Sequence, residues 1–198
     1  MKKFRFAAVI LVMAMMLGAL TSCGIVKIIP KGTEADYTGV VEFDASAEAA
    51  GDWAQVVAEV TENAVPLAEA AEGLSSSDAK AVTFTATLTA YSEKANGQKC
   101  SFTASVDGVS DEVTIQAGSV YTGTAVRDCQ SLKSFGSFTN QNEWSEYAKT
   151  LNAEVQSNVI EPLGDLSALE GKTVEIVGCV ALGTTGGLNV VPVSVTVQ

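Results

Sequence analysis

Cysteine is the residue type with the widest chemistry in this chain. It occurs four times, at Cys23, Cys100, Cys129 and Cys179. A cysteine thiolate can act as a nucleophile, bind a metal ion or exchange with a disulfide. None of the four has the Cys-x-x-Cys spacing that is typical of structural zinc sites, so we predict no zinc site. In an exported chain the last three would form one disulfide and leave one thiol, and the spacing favours no particular pair.

The other polar residues indicate no catalytic machinery. Histidine is absent, which removes the usual general base of nucleophilic triads and the commonest zinc ligand. No Gly-x-Ser-x-Gly elbow occurs. A cation can activate a thiol, and Arg127 lies close to Cys129 in the sequence, but without a histidine a disulfide is the favoured role of this cysteine. We therefore predict a non-enzymatic protein with no catalytic residue and no cofactor.

Two further clusters have simpler interpretations as turns. Asp107, Asp111 and Glu112 place three carboxylates near one turn, but their spacing matches no calcium-binding loop, and a solvated turn is predicted. The glycine-rich segment 183–187 is flanked by valine-rich strands, whereas phosphate-binding loops open a helix. We therefore expect a hairpin loop there and no metal site in the chain.

The N-terminus has the pattern of an export signal. Lys2, Lys3 and Arg5 precede the 15 uncharged residues from Phe6 to Leu20. A membrane-spanning helix needs roughly 20 apolar residues, so a permanent anchor is the less favoured alternative. The following Leu20-Thr21-Ser22-Cys23 resembles the lipobox of bacterial lipoproteins, in which the cysteine thiol carries a diacylglycerol and the chain is cut just before it. The resemblance implies a signal peptide over residues 1–22 and a membrane anchor through lipid on Cys23.

The remaining composition restricts the partners. Cleavage before Cys23 removes 22 of the 198 residues and leaves 176, and the leader contains three of the 12 basic residues and none of the 23 acidic ones. The mature formal charge is therefore −14, which opposes binding to nucleic acid. Residues 23–36 show no sustained period and are predicted to be a tether. We expect a bacterial envelope lipoprotein that faces the periplasm or the exterior.

Hydrophobic periodicity predicts an extension and then a mainly β domain. The extension, residues 37–79, comprises a strand at Tyr37–Asp44 and a helical region at Ala45–Gly73 that Pro66 breaks or kinks. Trp53 and the nearby valines are expected to pack on the domain's own core, with docking onto a partner as the alternative.

Residues 80–198 alternate more clearly. Val82–Ala90 is an unbroken apolar–threonine alternation, and Asn96-Gly97 is typical of a type I′ hairpin turn. Asn140 and Glu143 fit the start of a helix that ends at Pro162 and Gly164. The remaining predicted strands are Lys99–Val106, Glu112–Ala117 with a continuation through Val126, Lys172–Leu182 and Leu188–Val197.

This order, β-β-β-α-β-β, is similar to that of the OB-fold, a five-stranded Greek-key barrel. The stretch from Leu166 to Gly178 resembles the entry to the fourth strand of OB-type envelope proteins, among them lipoproteins with a tRNA-anticodon-like domain. The fold class is thus α+β and mainly β, with a general α+β sandwich as the alternative. The resemblance implies a disulfide between Cys129 and Cys179. It also implies a ligand face near four aromatic residues that could instead complete the core, namely Tyr91, Tyr121, Phe135 and Phe138.

Three hypotheses for function follow. The first is a non-enzymatic, lipid-anchored module that binds a protein, peptide or glycan partner at the envelope. The second is a structural or assembly subunit of an envelope complex. The third, and least favoured, is an enzyme that uses carboxylates or serine, for which no motif is present.

Overall fold

The computed structural model of the chain describes residues 43–184 and 186–198. Its first helix, α1 (Ala45–Glu62), begins where the Asp44 carboxylate accepts hydrogen bonds of 3.0 Å from the N–H groups of Ser46 and Ala47. The predicted strand at Tyr37–Asp44 lies almost wholly outside the described residues, and its last two residues are not in a strand. Cys23, the signal peptide at 1–22 and the tether at 23–36 also lie outside them.

The predicted break in the helical region at Pro66 is confirmed. Val65–Pro66 forms a two-residue strand, β1, after which α2 (Leu67–Glu72) begins and Gly73 ends it. Proline has no N–H to continue a helix, so the chain changes direction there. The apolar side of α1 is directed inward, with Val56 and Val60 fully buried.

Five longer strands complete one sheet with β1. They are β2 (Ala79–Lys94), β3 (Lys99–Ser105), β4 (Val113–Gln116), β5 (Thr173–Leu182) and β6 (Leu188–Val197). The sheet order is β1-β2-β3-β4-β6-β5, and β2 also pairs with β5. The predicted count of five strands is wrong, because two residues are too few to show the alternation by which a strand is recognised in sequence.

The long strand β2 has two antiparallel partners. Its residues Ala79–Thr87 pair with β5, and Thr87–Lys94 pair with β3 across an irregularity between Leu88 and Ala90. A bulge of this kind bends a strand and increases its twist. The strands therefore form one curved six-stranded sheet around an apolar core, in place of the predicted five-stranded Greek-key barrel.

The first hairpin has the predicted turn. Asn96 and Gly97 have φ values of 55° and 83°, and the Gln98 N–H donates to the Ala95 carbonyl at 3.2 Å. Positive φ at both central residues is the requirement of a type I′ turn.

The third predicted strand ends earlier than expected. β4 stops at Gln116, and the chain then forms a loop and the short helix α3 (Ala125–Asp128), so the continuation to Val126 is wrong. The loop after β4 passes very close to the backbone of Gln98 at Gly118. A Cβ at this position would lie 2.4 Å from the Gln98 carbonyl oxygen. An ordinary side chain cannot enter that space.

The second predicted helix is α4 (Gln141–Val155). Asn140 caps it by accepting from the N–H groups of Asn142 and Glu143. The helix continues through a π turn at Gln156–Ile160 and a 3₁₀ turn at Glu161–Leu163 to Gly164, whose φ is 73°. α4 packs against α1, and Asp44–Gln198 forms one compact unit.

Among the described residues, no helix combines the length and the apolar character needed to cross a bilayer.

Candidate functional site: a polar cleft on the sheet

A cleft of about 320 Å³ lies against the outer side of β3, β4 and β6. The β2–β3 hairpin borders it with Lys94 and Lys99, and the β5–β6 loop borders it with Gly183, Thr184 and Gly186. Thr185 in that loop lies outside the described residues. We call this space the polar cleft and define it by its principal side chains: Lys94, Lys99, Glu112, Thr114, Gln116 and Asn189.

Strand register brings these side chains together. Ser101 pairs with Gln116, and Thr114 pairs with Asn189 across the parallel β4–β6 contact. Side chains alternate between the two faces of a strand, and the neighbours Phe102, Ile115 and Val190 are buried in the core. The intervening polar residues must therefore point away from the core and into the cleft.

Two lysines form one end of the polar cleft. Lys94 is the last residue of β2 and Lys99 the first of β3, and the two are directly opposite in the register. Neither forms an ion pair with any described residue. Like charges directly opposite on neighbouring strands are unfavourable, and this end of the cleft presents two exposed ammonium groups without an ion pair among the described residues.

Asn189 is the second unusual group. Its Oδ1 atom is buried and accepts no hydrogen bond from the described residues. An orphaned buried acceptor is costly, but this oxygen has almost no accessible surface, so it is not itself a contact for a ligand in the cleft. Asn189 therefore marks a place where a donor is missing.

The side-chain amide of Gln116, in contrast, has hydrogen-bond partners for both its nitrogen and its oxygen. The nitrogen donates to the Thr122 carbonyl at 3.0 Å, and the oxygen accepts from the Thr122 N–H at 2.6 Å. These two bonds hold the loop after β4 against the sheet as one wall of the cleft. Gln116 is thus a positioning residue, and its amide is already satisfied.

The four predicted aromatic residues do not line the polar cleft. The Tyr91 and Phe102 rings are 5.3 Å apart, and Phe138 packs against Trp144 and Tyr147. Phe135 is 55% exposed in the segment before α4.

Tyr121 comes nearest, since its neighbours Val120 and Thr122 both line the cleft. Its own hydroxyl is buried without a partner among the described residues. Burial and then the nearby Cys100 raise the pKa of Tyr121 well above its ordinary value, so the phenol stays protonated.

The sequence does not mark the residues of the polar cleft as a binding site. Glu112 is the exception, because it belongs to the carboxylate cluster considered for calcium. The cleft residues are single polar residues on strands far apart in the sequence, and only the β4–β6 register brings Thr114 next to Asn189. A signal was present in the alternation of polar residues, but alternation alone is typical of any solvent-facing strand.

The three later cysteines are free thiols in this structure. Cys100 is buried and contacts the Gly97 carbonyl through Sγ at 3.2 Å. Cys129, at the end of α3, hydrogen-bonds the buried Cys179 on β5. The predicted disulfide between Cys129 and Cys179 is not formed here, although the two predicted partners are in contact.

No three His, Cys, Asp or Glu side chains within the described ranges could together hold a metal ion. Of the three carboxylates near the β3–β4 turn, only Glu112 lines the polar cleft. A second groove, about 410 Å³, crosses the outer side of β2, β5 and β6 between Thr85 and Ser194. It has the larger volume but only one charged side chain and no orphaned buried atom, so the polar cleft is the better candidate.

Comparison with known proteins supports an envelope location and the fold. A family model described as "Predicted periplasmic lipoprotein (DUF2291)" matches residues 12–196. The crystal structure of an OB-fold protein from Thermotoga maritima is similar, with a TM-score of 0.58 and 13% identity over 80% of this chain and 100% of that one. At this identity the similarity shows the fold alone. No protein with a curated description matches the chain significantly.

Proposed function

The chain belongs to the family of predicted periplasmic lipoproteins, and from this premise we propose that it is a lipid-anchored binding protein whose OB-type domain holds an envelope ligand in the polar cleft. The proposed anchor is lipid on Cys23. The proposed activity is binding without chemistry: the chain has no histidine, and Cys100, which lines the cleft, is buried with its thiol bonded to the Gly97 carbonyl.

The observation that carries the proposal is the concave polar cleft that the strand register builds on the sheet. Recognition sites combine a concave surface with a few polar groups that fix the ligand's orientation. OB-folds bind ligands on the face of their second and third strands and in the adjoining loops. In this chain those elements are β3, β4 and the β2–β3 and β5–β6 loops, which line the cleft.

Native mass spectrometry of the full chain tests this proposal. The protein would be extracted from its own membranes in a mild detergent, and co-purifying mass would be compared among three forms. Thr114→Trp should fill the cleft and remove the bound mass. Thr85→Trp, on the outer side of β2, is the matched control and should retain it.

Each of the other outcomes has a definite meaning. No bound mass on the wild-type chain, or equal bound mass on both tryptophan variants, would contradict binding in the polar cleft. A protein partner in fixed stoichiometry that persists in Thr114→Trp would favour the assembly-subunit hypothesis. Thermal unfolding of each variant shows that the domain is intact.

A further inference from the structure

The thiols of Cys129 and Cys179 meet where the short helix α3 packs against β5. Cys129 is the residue that follows α3, and Cys179 lies inside β5. The two side chains share a hydrogen bond in the folded chain, in which both are free thiols. The fold thus meets the first requirement of disulfide formation, which is a short distance between two sulfur atoms.

The two thiols differ in their access to solvent. Cys179 is fully buried, and its strand is flanked by Ala81 of β2 on one side and Val191 of β6 on the other. Cys129 is partly exposed at the end of a four-residue helix. Thiol chemistry with an external reagent depends on this exposure. Cys129 is therefore the member of the pair that an oxidant meets while the domain stays folded.

The neighbouring Arg127 does not supply the reactivity. Its guanidinium is paired with the Asp128 carboxylate at 2.7 Å and lies 4.3 Å above the Trp144 ring. The chemistry therefore depends on the two sulfur atoms and on an oxidant from outside the chain. A periplasmic protein meets such oxidants as disulfides that exchange with free thiols.

We infer that the Cys129–Cys179 pair is a site of thiol–disulfide exchange with a periplasmic disulfide oxidant, in which Cys129 is the attacking thiol and Cys179 the resolving thiol. In the first step the Cys129 thiolate attacks one sulfur of the oxidant. A mixed disulfide forms, and the other sulfur of the oxidant leaves and takes up the proton that Cys129 lost.

The second step takes place inside the protein. The Cys179 sulfur loses its proton and attacks Cys129 Sγ in the mixed disulfide, so the bond between Cys129 and the oxidant breaks as the Cys129–Cys179 bond forms. The departing sulfur of the oxidant takes up that proton. In total, two electrons and two protons pass from the cysteine pair to the oxidant, which leaves in its reduced thiol form.

Cys100 provides a comparison within the same chain. It is buried, its thiol donates to the Gly97 carbonyl at 3.2 Å, and it also hydrogen-bonds the Tyr91 hydroxyl. We therefore expect Cys100 to stay reduced in the folded chain while the pair is oxidised. In the reduced, folded wild-type chain, iodoacetamide should alkylate Cys129 at least about tenfold faster than Cys100.

Oxidised glutathione is the probe that separates the two roles. The full chain would be purified from its membranes in mild detergent, reduced, freed of reductant and then exposed to the probe without denaturant. Cys179→Ala removes the resolving thiol and should accumulate one glutathione on Cys129, located by peptide mass spectrometry. The wild-type chain should instead lose two hydrogens and keep no adduct. Cys129→Ala should stay unmodified, because the remaining thiol of the pair is buried.

Two further variants keep the experiment decisive. Cys100→Ala is the matched control, since it removes another buried thiol and should behave like the wild-type chain. Cys179→Ser replaces Cys179→Ala if thermal unfolding shows that the alanine variant is not folded, and the same adduct is expected.

Three results would overturn the inference. Glutathione on Cys100 or Cys179 in place of Cys129 would contradict the attacking role. A stable adduct on Cys129 of the wild-type chain would contradict the resolving role of Cys179. A folded chain that the probe leaves unmodified in every form would contradict the site itself. The polar cleft is independent of these outcomes, since Thr114→Trp tests it separately.

Discussion

At the scale of single residues, Cys129 and Cys179 are thiol neighbours even though the whole of α4 lies between them in the chain. Burial and then the Cys129 thiol raise the pKa of Cys179 well above its ordinary range, which keeps this thiol protonated in the reduced chain. Oxidation requires a disulfide-bearing oxidant to accept two electrons and two protons as the S–S bond forms. The periplasm supplies such oxidants, so the pair is suited to become a disulfide there.

We predict that chain purified from the envelope without reductant has Cys129 joined to Cys179. Alkylation after unfolding, followed by mass spectrometry, should label Cys100 at once and the other two only after reduction. The bond would close a loop of about 50 residues and stabilise the fold by about 4 kcal/mol. Cys100→Ser is the control and should leave the bond intact, while alkylation of Cys129 without reductant would contradict it.

Tyr147 connects α4 to α1 through a hydrogen bond. Its hydroxyl donates to the Asp52 carboxylate at 2.9 Å, and Lys133 forms ion pairs with Asp52 and Glu48. Burial and then the Asp52 bond raise the pKa of Tyr147 above its ordinary value. The folded chain therefore holds this proton more tightly than the unfolded chain.

We predict that Tyr147→Phe lowers the free energy of unfolding by about 1 kcal/mol near neutral pH. Tyr91→Phe is the comparison, because its hydroxyl bonds Glu93 at 3.4 Å and Cys100 but Tyr91 is only half-buried, whereas Tyr147 is fully buried, so Tyr91→Phe should cost less. Urea unfolding measures both. Equal losses would show that the Asp52 bond contributes nothing specific.

The same pKa shift predicts a pH dependence. Because the folded pKa of Tyr147 is raised, its contribution is complete below the unfolded pKa of about 10 and decreases as the pH rises above it. The pKa of Lys133 is also raised, chiefly by its bond to Glu48, so this contribution too is lost in alkali. Thermal midpoints should fall as the pH rises above about 10, and less steeply in Tyr147→Phe. An identical slope in the variant would contradict this assignment.

At the scale of elements, two glycines have opposite roles. Gly51 lies inside α1 with open space where a Cβ would be, whereas a Cβ on Gly118 would lie 2.4 Å from the Gln98 carbonyl oxygen and 2.5 Å from the Cys100 nitrogen. Gly118 is therefore required by the close approach of the loop after β4 to β3, which shapes one wall of the polar cleft.

We predict that Gly51→Ala stabilises the protein by about 0.5 to 1 kcal/mol, since alanine favours the helix and restricts the unfolded chain. Gly118→Ala should destabilise it by about 1 to 3 kcal/mol, because the backbone must move. Chemical denaturation of the pair measures the contrast. A neutral Gly118→Ala would mean that the loop after β4 has room to shift.

Local sequence patterns predicted most strands and helices, whereas β1 and the residues of the polar cleft depend on pairing between distant segments. The alternation at Val82–Ala90 and the Asn96-Gly97 turn need only neighbouring residues, and both are confirmed. β1 has no alternation of its own and is a strand only because it pairs in parallel with Val82 and Thr83. Thr114 and Asn189 become neighbours through a parallel pairing whose register the sequence does not reveal.

At the scale of the whole molecule, an acidic chain carries two exposed lysines, Lys94 and Lys99, at one end of the polar cleft on its sheet. The family match identifies the chain as an envelope protein. The similarity to the solved Thermotoga maritima structure shows an OB-type fold. The lipid on Cys23 is a proposal that the leader pattern supports.

We predict that Cys23→Ser yields an unprocessed precursor that lacks lipid. Without acyl chains, only the uncleaved leader would hold it at the membrane. Mass spectrometry of the purified chain should show a diacylglycerol-modified N-terminus at Cys23 in the wild type and an intact residue 1 in the variant. Cys100→Ser should be processed normally. Cleavage just before position 23 in Cys23→Ser would contradict the anchor.

The proposed function places the envelope ligand in the polar cleft. Site-specific photocrosslinking in living cells tests this placement, with the photoreactive residue at Thr114 inside the cleft or at Thr85 in the second groove. We expect a discrete adduct from Thr114 and none from Thr85. Equal labelling at both positions, or an adduct from Thr85 alone, would contradict it.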